Sequence, residues 1–174
     1  MENIIITGKP RTGKTTLIKK LIPLIPAPGG FYTDEILEGN MRTGFKITTL
    51  DGKSGILARK GIKSTYRLGK YGIEIRDLEE LGVKAIEYAM ISKKVVIIDE
   101  IGKMELFSSK FQRAVINALD SETTVLGVLQ ISNTPFLNKI RMRKDIDIYT
   151  LIPNNRDEIF HLIKKRIMGA FFSR

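Results

Sequence analysis

The chain of 174 residues contains no cysteine and no tryptophan, and its one histidine is His161. Without cysteine there is no disulfide and no thiolate metal site, which fits a cytoplasmic address. With one histidine, a histidine-based metal centre or catalytic triad is not expected. No run of about 18 or more apolar residues occurs, so no membrane span is expected. The opening residues, MENIIITGKP, carry an acid at position 2 and an apolar run too short for a secretory signal.

What is present suits one domain with one well-developed core. Hydrophobic residues make up 43% of the chain, ordinary for a globular protein. The formal charge is +10. A polyanion partner is one reading of that charge. The basic residues are dispersed, however, and no aromatic interleaving marks a platform for single strands. The charge is therefore read as a solvated, lysine-rich surface of the kind found in heat-adapted proteins. Nucleic acid is not the favoured partner, and a monomer is the favoured state.

Residues 3–7 read NIIIT and stop at Gly8, the pattern of a buried strand. Residues 14–22 read as a helix with Leu17, Ile18, Leu21 and Ile22 on one face. Residues 30–58 have a different texture, with short strands and hairpin signals at Asp51-Gly52 and Gly39-Asn40. Residues 59–73 read as an exposed loop or a short extra strand. Asp77 and Glu80 have capping-box spacing ahead of a helix striped by Leu78, Leu81, Ala85, Ile86, Ala89 and Met90. Strands are expected at 94–99, 123–130 and 145–152. Helices are expected after Ser108 or Ser109, at TPFLNKI, and over 155–167 with Ile159, Leu162, Ile163 and Ile167 inward. The tail GAFFSR either frays or tucks its two phenylalanines onto the core. Apolar strands alternating with helices predict an α/β fold: a mostly parallel sheet between two helical layers. An antiparallel β insertion, at about 30–60, follows the first helix.

Residues 8–15, GKPRTGKT, fit the pattern G-x-x-x-x-G-K-[ST] between a strand and a helix. Gly8 and Gly13 permit backbone angles other residues resist, so that amides turn inward around a phosphate. Lys14 is placed to reach the β- and γ-phosphates, and the Thr15 hydroxyl to ligate Mg²⁺. Thr16 is a lesser candidate for an α-phosphate contact or a local cap. The second signal is VVIIDEIGKMEL, where a buried run ends in Asp99 and Glu100. A carboxylate at the end of a buried strand needs a partner, and a divalent cation beside Thr15 supplies one for Asp99. Glu100, one residue past the strand, is the candidate to orient and polarise a water at the γ-phosphate. Gln130, at the polar end of 123–130, either senses the γ-phosphate or the attacking water, or simply ends a strand lying between the other two.

The segments GKPRTGKTT, GGFYTDEI, GNMRTGFKITTLDG, DEIGKMELFS and PNNRDEI together resemble the small nucleoside-triphosphatase family called THEP. Its members occur in thermophilic microbes, and its animal relative is the cancer-related nucleoside-triphosphatase. The resemblance runs to about residue 167. It implies a P-loop NTPase sandwich with a β insertion, and slow Mg²⁺-dependent hydrolysis of ATP, GTP, CTP and UTP to the diphosphate. It implies a phosphate site at Gly8, Lys9, Pro10, Arg11, Thr12, Gly13, Lys14 and Thr15. It implies a second nucleotide-binding segment at Val96, Ile97, Ile98, Asp99, Glu100, Ile101, Gly102 and Lys103, with Glu100 activating water. Family P-loops often carry glycine where this chain has Arg11, which is expected to point to solvent.

Other residues carry weaker signals. Lys103 either neutralises developing charge or is an exposed lysine, and Glu105 follows it without an assigned role. Arg141 and Arg143 read as a surface cluster, with a cis arginine finger as the alternative. Asn155 and Arg156 read as a helix cap and first-turn residue, or as flanks of a base. Tyr32, Thr33, Asp34, Glu35 and Arg42 lie in family-like segments without a role. Two other functions compete with hydrolysis: a kinase of a small molecule or polynucleotide, and a nucleotide-switched RNA-binding module.

Overall fold

The computed structural model describes residues 2–93 and 95–172. Nine strands form one sheet, in the order β5-β6-β4-β3-β2-β7-β8-β1-β9. They are β1 (Asn3–Thr7), β2 (Pro28–Glu38), β3 (Met41–Thr49), β4 (Ser54–Lys60), β5 (Arg67–Leu68), β6 (Tyr71–Ile73), β7 (Val95–Ile101), β8 (Thr124–Leu129) and β9 (Ile146–Thr150). The half from β2 to β9 is parallel, and the half from β2 to β5 is antiparallel. β2 therefore belongs to both halves, so the insertion extends the central sheet. The basic stretch 59–73 supplies the last two short strands. Lys94, expected to open its strand, lies outside the described residues.

The central strands read as continuous apolar runs because both faces are covered. Ile4, Ile6, Val95, Ile97, Leu126 and Val128 pack on one face with Leu17, Ile18 and Leu21 of α1 (Lys14–Leu21) and with Ile159, Ile163 and Ile167 of α6 (Arg156–Phe172). Ile5, Val96, Ile98, Val125 and Leu129 turn to the other face. There they meet Ile86 and Ala89 of α3 (Lys84–Ser92), Phe111, Val115 and Ala118 of α4 (Ser109–Asp120), and Leu137 and Ile140 of α5 (Pro135–Arg141). Successive side chains of a strand point to opposite faces, so each strand feeds both halves of the core.

Three local expectations change. Asp77, in α2 (Ile75–Asp77), caps no helix; its carboxylate accepts a hydrogen bond from the Ile56 amide of β4 at 2.8 Å. A π-helical stretch, Leu78–Val83, then leads into α3. Leu162 is 43% exposed, because the i, i+4 stripe of Ile159, Ile163 and Ile167 alone faces the sheet. α6 runs on through Phe172; Phe171 packs against the core and Phe172 is exposed, while Ser173 and Arg174 lie outside the described residues. Ser108 is the cap of α4, accepting from the Phe111 amide at 3.1 Å.

Candidate active site

The C-terminal ends of β1, β7, β8 and β9 lie side by side, and the loop 8–15 follows the first of them. Gly13 sits at φ 96 immediately before α1, so the chain turns left-handed as it enters the helix. A side chain on Gly8 would place its Cβ 2.4 Å from the Leu151 carbonyl oxygen, a contact no other residue tolerates. Between them Arg11 adopts φ 63, an unusual conformation for a residue with a side chain, and it is exposed as expected. Lys9, Pro10 and Thr16 are also exposed, while Thr12 is buried and donates its hydroxyl to the Lys9 carbonyl at 2.9 Å. Lys14 curls over the loop, its Nζ donating to the carbonyls of Gly8 at 3.0 Å and Lys9 at 2.9 Å.

β7 carries the acids. It continues through Ile101, so Glu100 lies within the strand and not one residue past it. The pairing register with β8 shifts between Ile98 and Ile101, and the Asp99–Glu100 peptide is cis. Val96, Ile97, Ile98 and Ile101 bury their side chains in the core and form the platform for the acids. Asp99 is fully buried, and neither carboxylate oxygen has a hydrogen-bond partner. Burial raises its pKa to about 7. The nearby Thr15 hydroxyl pulls the other way without forming a hydrogen bond of normal geometry; Glu100 adds to the rise and Lys14 opposes it. Glu100 is partly buried, and its carboxyl is likewise raised by burial and lowered by Lys14. Lys14, Thr15, Asp99 and Glu100 thus lie close together.

The structure gives places to Glu105 and Asp34, which sequence reasoning left without a role, and to Asn155 and Arg156, which it left with alternatives. Glu105 is buried beside Gly102, and its carboxyl is pushed well above the ordinary 4.5, first by burial and then by the Glu100 charge. Its position six residues after Asp99 gives no local signal, because only the turn after β7 brings it back. Asp34, on β2, adds to the rise at Asp99 while pairing with Lys19 at 2.6 Å. Arg156 donates from Nε to the Thr12 carbonyl at 2.6 Å, reaching the phosphate loop from the last helix. Asn155 does not cap that helix; its Oδ1 accepts from the Ile152 amide at 2.9 Å, and its Nδ2 donates to the Thr150 carbonyl at 3.0 Å.

Gln130 ties down the turn that follows the acids. Its Oε1 accepts from the Lys103 amide and from the Ser132 hydroxyl, each at 3.0 Å. The Lys103 side chain is exposed, and beside it opens a cavity of about 520 Å³ walled by Leu106, Phe107, Phe136 and Lys139. Arg141 is held by the carbonyls of Gln130 and Ser132 and by Asn138. Arg143 sits away from the acids, between Asp120 at 2.7 Å and Asp145 at 2.5 Å, which removes it as an arginine finger. His161 stacks edge-on against Phe160 and takes no part in the site. No helix among the described residues is long and apolar enough to cross a membrane.

Comparison with known proteins adds an independent line. A family model described as NTPase matches residues 3–164. The nucleoside-triphosphatase THEP1 of Thermotoga maritima is 51% identical over 160 residues, covering 92% of each chain. The human cancer-related nucleoside-triphosphatase is 35% identical, covering 90% of this chain and 92% of that one. The crystal structure of THEP1 from the hyperthermophile Aquifex aeolicus matches with a TM-score of 0.87 at 39% identity, over 95% of this chain and 98% of that one.

Proposed function

This chain belongs to the NTPase family and is a nucleoside-triphosphatase, and on that premise we propose that it hydrolyses ATP, GTP, CTP and UTP, with Mg²⁺, to the diphosphate and phosphate. The observation that carries the reading is Asp99: a fully buried carboxylate with two unpartnered oxygens, beside Thr15 and Lys14. A buried charge without a partner is costly, and a cation-binding role accounts for it. Hard oxygen donors from one carboxylate and one hydroxyl suit Mg²⁺, which keeps several waters and takes the rest of its ligands from phosphate. Held there by Asp99 and Thr15, such an ion would supply positive charge against the phosphates.

The protein groups divide the remaining work. The backbone N–H groups of the loop 8–15, all but Pro10, and the positive end of α1 cradle the phosphates. Lys14 leaves the carbonyls of Gly8 and Lys9 for the β- and γ-phosphates, exchanging neutral acceptors for charged ones. Glu100 orients the attacking water and takes its proton, and its raised pKa favours that transfer. The water oxygen bonds to the γ-phosphorus as the bond to the bridging oxygen breaks, and the diphosphate leaves. These contacts address phosphates and not bases, which is the basis for broad base acceptance.

The test is phosphate release from ATP, GTP and CTP with Mg²⁺ and no acceptor, comparing wild type with Glu100→Gln. Nucleotide binding is measured in parallel. The expected result is hydrolysis of all three, with normal binding and a loss of about a hundredfold or more in kcat for the variant. Binding without phosphate release would sink the reading. A second reading, phosphoryl transfer to a small acceptor, draws on the cavity beside Lys103; turnover that depends on an added acceptor would favour it.

A further inference from the structure

Hydrolysis as proposed leaves the nucleoside without a place to lie. The sheet order β7-β8-β1-β9 gives it a direction. The loop 8–15 follows β1, and the acids stand two strands away on β7. With the γ-phosphate turned toward Asp99 and Glu100, the α-phosphate and the nucleoside extend the other way, over the chain that leaves β9.

That chain is pressed against the phosphate loop. The Leu151 amide donates to the Thr7 carbonyl at 2.7 Å, and a Cβ on Gly8 would strike the Leu151 carbonyl. Asn155 clamps the turn 153–155 through the Ile152 amide and the Thr150 carbonyl. Arg156 then crosses Gly13, its Nε 3.4 Å and its Cζ 3.7 Å from where a Cβ would stand. Two side chains of this segment stay open to solvent. Ile152 is 48% exposed. Arg156 is exposed, and among the described residues only its Nε donates, to the Thr12 carbonyl, and no carboxylate pairs with it.

We infer, resting on that reading of residues 8–15 and of the acids, that Ile152 and Arg156 form the platform for the base of the bound nucleotide, with the Arg156 guanidinium stacked on the face of the base.

A guanidinium is planar and weakly hydrated, and it stacks on aromatic rings. Every base has such a face, so stacking accepts all four without reading an edge. The exposed Ile152 adds apolar surface that a base or ribose can cover. Both groups are set before the ligand arrives. The bond to the Thr12 carbonyl anchors the guanidinium, and Asn155 anchors the backbone of Ile152, so less freedom is lost on binding. The same arginine therefore touches the phosphate loop with one nitrogen and offers the rest of its plane to the nucleoside.

The experiment measures Kd for pyrophosphate and for ADP, GDP, CDP and UDP, each with Mg²⁺, by calorimetric titration of the full chain at one salt concentration. These ligands carry no γ-phosphate to lose. Pyrophosphate reports the loop alone, and the preference for a nucleotide over it reports the base. Two variants are compared with wild type. Arg156→Lys keeps the charge and a donor for the Thr12 carbonyl but not the plane. Ile152→Ser removes the apolar surface at an exposed position. In each, the preference for nucleotide over pyrophosphate is expected to fall by about three- to tenfold, more for ADP and GDP than for CDP and UDP, because a purine has the larger face. The thermal midpoint is expected to stay. A preference unchanged in either variant overturns the proposal, including the case where both ligands weaken equally. So does a wild type that binds ADP no better than pyrophosphate. A wild type that binds neither sinks the reading of residues 8–15 as the phosphate site, and the platform with it.

Discussion

Arg156 and Thr12 are 144 positions apart, yet the Arg156 Nε donates to the Thr12 carbonyl at 2.6 Å. The guanidinium also lies 3.4 Å from where a Cβ on Gly13 would stand. The last helix thereby fastens the phosphate loop at its entry into α1. A hydrogen bond from a charged donor contributes about 1.5 to 3 kcal/mol, and about 1.4 kcal/mol is tenfold in affinity. We expect Arg156→Ala to weaken nucleotide binding by about tenfold, measured by calorimetric titration. Unchanged affinity would mean that the loop keeps its shape without this helix.

Arg11 carries the opposite kind of information. Its φ of 63 is left-handed, a conformation that costs a residue with a side chain about 1 to 2 kcal/mol. Glycine avoids that cost but has more freedom to lose on folding, which cancels part of the gain. Arg11→Gly is expected to raise stability by about 1 kcal/mol or less, read as a higher midpoint in denaturant. A lower midpoint would show that the exposed guanidinium contributes more than the backbone loses.

Two buried carboxyls, Asp99 and Glu105, and the partly buried Glu100 give metal-free protein a distinctive pH response. Asp99, Glu100 and Glu105 are all raised above their ordinary values of 3.8, 4.5 and 4.5. A carboxyl with a raised folded pKa contributes stability that is full below the unfolded value and is lost as pH rises through the folded one. For Asp99 that window runs from 3.8 to about 7. The paired surface acids Asp51, Glu79, Glu80 and Asp145 are shifted downward and lose their contribution only in more acidic solution. Thermal midpoints without Mg²⁺ are therefore expected to fall between about pH 4 and pH 7. Asp99→Asn removes one of these buried charges, so its midpoint at the upper end should exceed that of wild type while Mg²⁺-stimulated hydrolysis is lost. A flat profile, or a variant less stable there than wild type, would count against the desolvated carboxylate.

Local sequence fixes some parts of this site and not others. The loop 8–15 is legible because its chemistry is local: glycines at fixed spacing, a lysine and a threonine at the start of a helix. β7 is legible because an apolar run followed by acids has few buried solutions. Glu100 was misplaced by a residue, since strand ends depend on pairing with β8 and not on composition. Asp77 was misread as a cap because its partner, the Ile56 amide, belongs to a strand in the insertion. Leu162 was misread because a helix shows its sequence which residues are apolar, but not how wide a stripe its neighbours cover.

By itself the sequence determined the elements and the groups that meet phosphate and cation, because propensity, capping and glycine conformation act over a few neighbouring residues. Only the tertiary structure decided that β2 joins the two halves of the sheet, that Arg156 reaches Thr12, and that Glu105 faces Glu100 across Gly102. Those outcomes depend on burial and on charges brought together by distant segments, and burial is what raises the Glu105 carboxyl above the ordinary range.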